Sequence, residues 1–67
     1  MRWRDLAGRR AMVTLDGGDV RGVLGRIVAA PGRDGLVEVV DATVDGRPAD
    51  GRLVVPVDRV VLVQVVD

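Results

Sequence analysis

Apolar and polar positions alternate with period two along most of this chain, and Gly, Asp and Pro break the alternation at regular intervals. In "RRAMVTL", residues 9–15, Ala11, Val13 and Leu15 fall on one side and Arg10, Met12 and Thr14 on the other, which marks a half-buried strand. "DGGD", residues 16–19, follows as a hairpin signal, because Gly17 and its neighbour supply the positive φ that tight turns need. The second predicted strand, "VRGVLGRIV" (20–28), carries Gly22 and Gly25. Two glycines weaken a flat strand and suit one that bends sharply over a core. "AAPGRDG" (29–35) reads as a loop. "LVEVVDATV" (36–44) is a third strand, with Val37 and Val39 on one face and Leu36, Glu38 and Val40 on the other. "DGRPADG" (45–51) reads as a second polar loop. "RLVVPV" (52–57) and "VVLVQVV" (60–66) are the fourth and fifth strands, joined by a tight turn. Ahead of them all, "RWRDLAG" places Trp3, Leu6 and Ala7 on one helical face and stops at Gly8. A piece so short must lie on something. Trp3 is expected to cap one end of the core, with ligand stacking as the alternative role.

The elements predict one domain spanning 1–67. Its expected class is all-β: a five-stranded, strongly bent small barrel over 9–66, preceded by a short helix over 3–8. The last two predicted strands are apolar on both faces, more than a lone barrel buries. Val54, Val55, Val61, Val63 and Val65 are therefore candidate interface residues. An exposed edge of this kind templates association, so the expected partner is a second copy or a larger protein assembly.

Composition sharpens this picture. The chain has 67 residues, no cysteine and no histidine. Disulfides and thiolate metal sites are excluded, and the commonest acid–base catalyst and metal ligand is missing. Small scaffolds usually need a staple, and of the usual ones oligomerisation remains. Trp3 is the sole aromatic residue, so the core must be aliphatic. Ten arginines balance nine aspartates and one glutamate, with no lysine. A net charge of zero does not mark a nucleic-acid binder, yet a local patch can still hold phosphate. No targeting segment is evident and no apolar run reaches the length of a membrane span. The expected location is the cytoplasm, or a virion for a phage structural protein.

Candidate chemistry is sparse. Asp16, Asp19, Asp34, Asp45 and Asp50 stand in or beside Gly-containing turns, where Asp is favoured for backbone reasons. No calcium-loop spacing appears, and "GVLGRI" is not a phosphate-binding glycine motif. The expectation is a non-enzyme with no cofactor and no metal. The loop arginines are the remaining candidates. Arg33 beside Asp34, Arg47, and Arg59 would contact phosphates as a set repeated in each subunit; otherwise they are solvated surface charges.

The hairpin "VTLDGGDVRGVL" resembles the first motif of the Sm and Sm-like proteins. Val13, Leu15, Asp16, Gly17, Arg21, Gly22 and Leu24 stand at the motif positions, and "RLVVPVDRVVLVQVV" resembles the family's last two strands. The likeness covers about residues 5–66. Small barrels of the PRC and Src-homology types share the "VVPVDRVVLV" pattern. The Sm-like resemblance implies rings in which the fourth strand of one subunit pairs with the fifth of the next, and single-stranded RNA at the inner rim. Two departures bear on the RNA site. Gly35 stands where the family's base-reading asparagine is expected, and Val57, Asp58 and Arg59 replace its Arg-Gly turn. The expectation is thus an Sm-like assembly and binding module that self-associates through its last two strands, with single-stranded RNA or another nucleic acid as ligand class. The alternative is a structural component of a virus particle or other large assembly, such as a minor or decorating capsid protein.

Overall fold

The computed structural model describes residues 2–67. One helical turn, α1 (Trp3–Leu6), precedes six strands: β1 (Arg10–Leu15), β2 (Gly22–Ala29), β3 (Leu36–Val44), β4 (Arg47–Ala49), β5 (Leu53–Pro56) and β6 (Val60–Val65). A 3-10 turn, Val57–Arg59, links β5 to β6. All pairings are antiparallel, in the order β4-β3-β2-β1-β6, with β5 on the first half of β3.

Period-two alternation places the core. Ala11 and Val13 from β1, Val23 and Ile27 from β2, Val37, Val39 and Ala42 from β3, and Val55 from β5 are buried together with Leu6. Each such aliphatic side chain contributes about 1.5–3 kcal/mol when fully buried. Trp3 packs half-buried against this cluster.

Three irregularities bend the sheet. β3 carries an extra residue opposite Gly25, where Leu24 pairs with Thr43 but Arg26 pairs with Val40. Asp41 sits there at φ 51°, in the left-handed region that Asp tolerates better than most residues. The bulge moves Ala42 to the inward face. A second shift lies between Ile27 and Ala29. A third lies on β6, where Thr14 pairs with Leu62 and Leu15 pairs with Val60. Bulges increase local twist, and these curl the sheet around its small core.

Two expectations are corrected. The hydrogen-bonded sheet is not closed into a barrel, because β5 and β6 do not pair with each other. The 3-10 turn between them carries the chain from β3's side of the molecule to β1's. The count of five strands also fails: residues 47–49, within the expected polar loop, form β4 against Ala42–Val44. The turn at Asp45 and Gly46, both at positive φ, makes that hairpin.

Candidate functional site

The hydrogen-bond parity of β5 and β6 decides what their edges offer. The Val66 N–H donates to the Arg10 carbonyl at 2.9 Å. Antiparallel pairs alternate, so Gln64 and Leu62 face β1 while the backbone groups of Val63 and Val65 point off the free edge. On the other side, the Val57 N–H donates to the Gly35 carbonyl at 2.8 Å. By the same alternation Leu53 and Val55 face β3, and Val54 and Pro56 point away. Pro56 has no N–H, so this edge is blunter than that of β6.

The structure sorts the expected interface residues into two kinds. Val54 and Val61 stand in solvent at 52% and 63% exposure. Val55 belongs to the core, and Val63 and Val65 pack half-buried against it. Leu62 and Val66, at 59% and 48%, are exposed in their place. Sequence reading missed them because it carried strict alternation through β6. The bulge at Val61 turns Val60 inward with Val63 and Val65, and Leu62 to the open face with Gln64 and Val66.

Two grooves border these strands. One, of about 410 Å³, opens where the sheet fails to close; Leu15, Val20, Val23, Val44, Leu53 and Val54 line it, along with Asp19 and Arg59. The other, of about 280 Å³, runs between Trp3, Leu6 and Val60–Val63.

The expected phosphate-contacting residues do not form one cluster. Arg33 and Asp34 lie in the β2–β3 loop, which meets the 3-10 turn through the Gly35–Val57 hydrogen bond. The Asp34 carboxylate accepts the Leu36 N–H at 3.1 Å, the backbone role expected of Asp in a turn. Arg59 reaches the other way: its Nη1 donates to the Gly17 carbonyl at 3.2 Å, and its own carbonyl accepts the Asp16 N–H at 2.9 Å. Arg47 opens β4, separated from Arg33 by the whole length of β3.

Several charged groups serve the fold. The Asp45 carboxylate accepts the backbone N–H groups of Arg21 (3.1 Å) and Gly22 (2.8 Å), while the Asp45 N–H donates to the Gly22 carbonyl at 2.9 Å. This clamp holds the entry of β2 against the β3–β4 turn. Asp45→Ala is expected to cost about 1–2 kcal/mol in urea denaturation, for the acceptors lost. Asp45→Asn keeps one acceptor and the left-handed preference, and should cost about half as much.

At the chain's other end the Asp67 carboxylate accepts the Arg9 Nε–H at 2.9 Å and the Arg10 N–H at 3.2 Å. The hydrogen bond from Arg9, then that from Arg10, holds its carboxyl below the ordinary carboxylate range. A depressed folded-state pKa stabilises above the unfolded value of about 3.9, and the effect is lost as pH falls through the lowered one. Asp67→Asn should therefore melt slightly lower than the parent at neutral pH, and the two melting curves should converge in acid.

For chemistry, the described residues hold no group of three or more Asp or Glu arranged to bind a metal ion. None of their helices is long and apolar enough to cross a membrane. No known protein family, curated protein or solved structure matches the chain.

Proposed function

We propose that this chain is a non-catalytic assembly module of the Sm-like kind, which joins copies of itself through β5 and β6. One observation carries the reading: two consecutive strands each pair on one edge only, and they leave Val54, Val61 and Leu62, with Val66 just beyond β6, in solvent. A chain this short buries little of its own surface. Covering those side chains and edges supplies the staple that it otherwise lacks. Pairing β5 of one copy with β6 of the next is head-to-tail, and such contacts make a ring when the rotation closes. The same pairing would satisfy, between subunits, the two strand edges that each chain leaves free.

Nucleic acid is the ligand class that goes with this reading. The expected loop site is dispersed, since Arg59 is tied to Gly17 and Arg47 lies apart from Arg33. The same dispersal favours the second reading, a structural component docked on a larger lattice through its apolar strands.

Light scattering of the purified protein over a concentration series tests the assembly. One discrete mass, a fixed multiple of 7.1 kDa, supports the module. A monomer at every concentration overturns self-association and leaves the docking reading.

A further inference from the structure

The outer face of the sheet carries a pair of arginines that neither the fold nor the assembly reading uses. The Ile27 N–H donates to the Arg9 carbonyl at 3.0 Å and the Leu15 N–H to the Arg21 carbonyl at 2.8 Å. These bonds set the parity between β1 and β2. Arg10 opposite Arg26, and Met12 opposite Leu24, are then the non-hydrogen-bonded pairs, whose side chains approach most closely. Two exposed guanidinium side chains thus stand directly across from each other. Like charges so placed destabilise a sheet.

Among the described residues, no ion pair relieves them. The row continues to Val66 beyond Arg10 and to Val40 beyond Arg26. The next row is Gln64, Met12, Leu24 and Thr43. The Asp67 carboxylate is engaged with the Arg9 side chain and the Arg10 backbone. Asp41, in the adjoining bulge, makes no ion pair; the ion pairs among the described residues are Arg9–Asp67 and Arg52–Glu38. The aliphatic stems of Arg10 and Arg26 can cover apolar surface, but an Arg facing a Glu would do the same without the repulsion.

We infer that this face binds the phosphate backbone of a single-stranded nucleic acid, with Arg10 and Arg26 clasping one phosphodiester between them. An anion placed there converts a repulsive pair into two charge-assisted contacts. The half-buried Met12 and Leu24 provide an apolar floor for unpaired bases. Gln64 and Thr14 stand beside them with hydrogen-bonding groups. A duplex hides its base faces and gains nothing from that floor. The inference deepens the nucleic-acid part of the proposed function but moves the contact from the loops to the sheet, and it does not depend on the oligomer.

The test is fluorescence anisotropy of a labelled oligouridylate over a salt series, with the parent, Arg10→Gln/Arg26→Gln and Arg33→Gln/Arg47→Gln. For single strands the log–log salt slope falls by about 0.7 per phosphate contact. The Arg10/Arg26 variant should therefore lose about 0.7 from the slope, for the one phosphate that the pair holds, while the Arg33/Arg47 variant keeps it. Arg26→Gln alone should raise the melting temperature by about 1–5 °C, because it removes the repulsion; a lowered melting point would make Arg26 a structural residue and overturn the inference. So would an unchanged slope in the Arg10/Arg26 variant, absence of parent binding at low salt, or equal competition by polyglutamate, which would indicate an acidic protein partner. Loss confined to the Arg33/Arg47 variant would reinstate the loop site instead. The mass of the Arg10/Arg26 variant, measured alongside, reports on assembly separately.

Discussion

Gly25→Val is expected to destabilise this protein by about 3 kcal/mol or more. A Cβ at residue 25 would lie 2.6 Å from Val39 Cγ1, 2.8 Å from the Val40 carbonyl oxygen and 3.0 Å from Ala42 Cβ. The first neighbour is a fully buried side chain and the second is backbone, so neither can swing aside. Gly25 faces the β3 bulge, where two residues of β3 oppose one of β2, and the absent side chain lets the strands close at that bend. Overpacking of a tight site costs about 1–3 kcal/mol, and a Val whose first carbon already clashes stands at or above the upper end. A domain of this size has roughly 3–10 kcal/mol in all, so the loss takes from about a third of the stability to all of it. Far-UV circular dichroism and the fluorescence of Trp3, the sole tryptophan, would follow it in urea. Gly22→Ala is the contrast. Its Cβ meets mainly the Met12 sulfur at 3.3 Å, at the flexible end of a side chain, and should cost less than about 1 kcal/mol. Equal tolerance at both positions would refute the close-approach account of Gly25.

The two glycines show how far the sequence could be read. Their presence in one strand announced a bend, but which of them the bend requires depends on the distance to β3. That distance is a tertiary quantity. Alternation alone located Ala11, Val13, Val37 and Val39, because period two is dictated by the pleat. It failed where a single inserted residue changes parity, at Asp41 and Val61. Neither residue carries the glycine that most often betrays such a site. The β4 strand was hidden in "DGRPADG" because three residues of pairing are fixed by a turn rather than by apolar content. Arg59 was legible as a loop arginine, yet its direction follows from where the hairpin carbonyl of Gly17 lies. The Arg10–Arg26 opposition was equally out of reach, since cross-strand register is set by the length of the Asp16–Arg21 connection and not by either arginine.

That parity change at Val61 also decides how the interface should be broken. Val61→Lys/Leu62→Lys is expected to convert an oligomer to a monomer while leaving the fold intact. Both side chains are mostly in solvent, so the substitutions desolvate nothing within one chain. Replacing apolar by charged residues at two adjacent edge positions removes burial of about 1.5–3 kcal/mol per side chain and adds the cost of desolvating a charge when the edges meet. Inward or edge lysines are also what sheet proteins use to keep edges apart. The expected loss of roughly 4 kcal/mol or more per contact weakens association by about a thousandfold. Val63→Asp, a substitution that strict alternation would choose for the same purpose, should act differently. Val63 sits opposite Val13 in the β1–β6 register and packs on the core, so a carboxylate there costs folding stability before it touches any interface. Light scattering and circular dichroism on the two variants separate the outcomes. A folded monomer from the first and an unfolded chain from the second assign the outer surface of β6 to assembly. An undiminished oligomer from the double lysine variant would remove β6 from the interface altogether. Association would then have to run through the β5 edge at Val54, where Pro56 leaves only one outward N–H to pair.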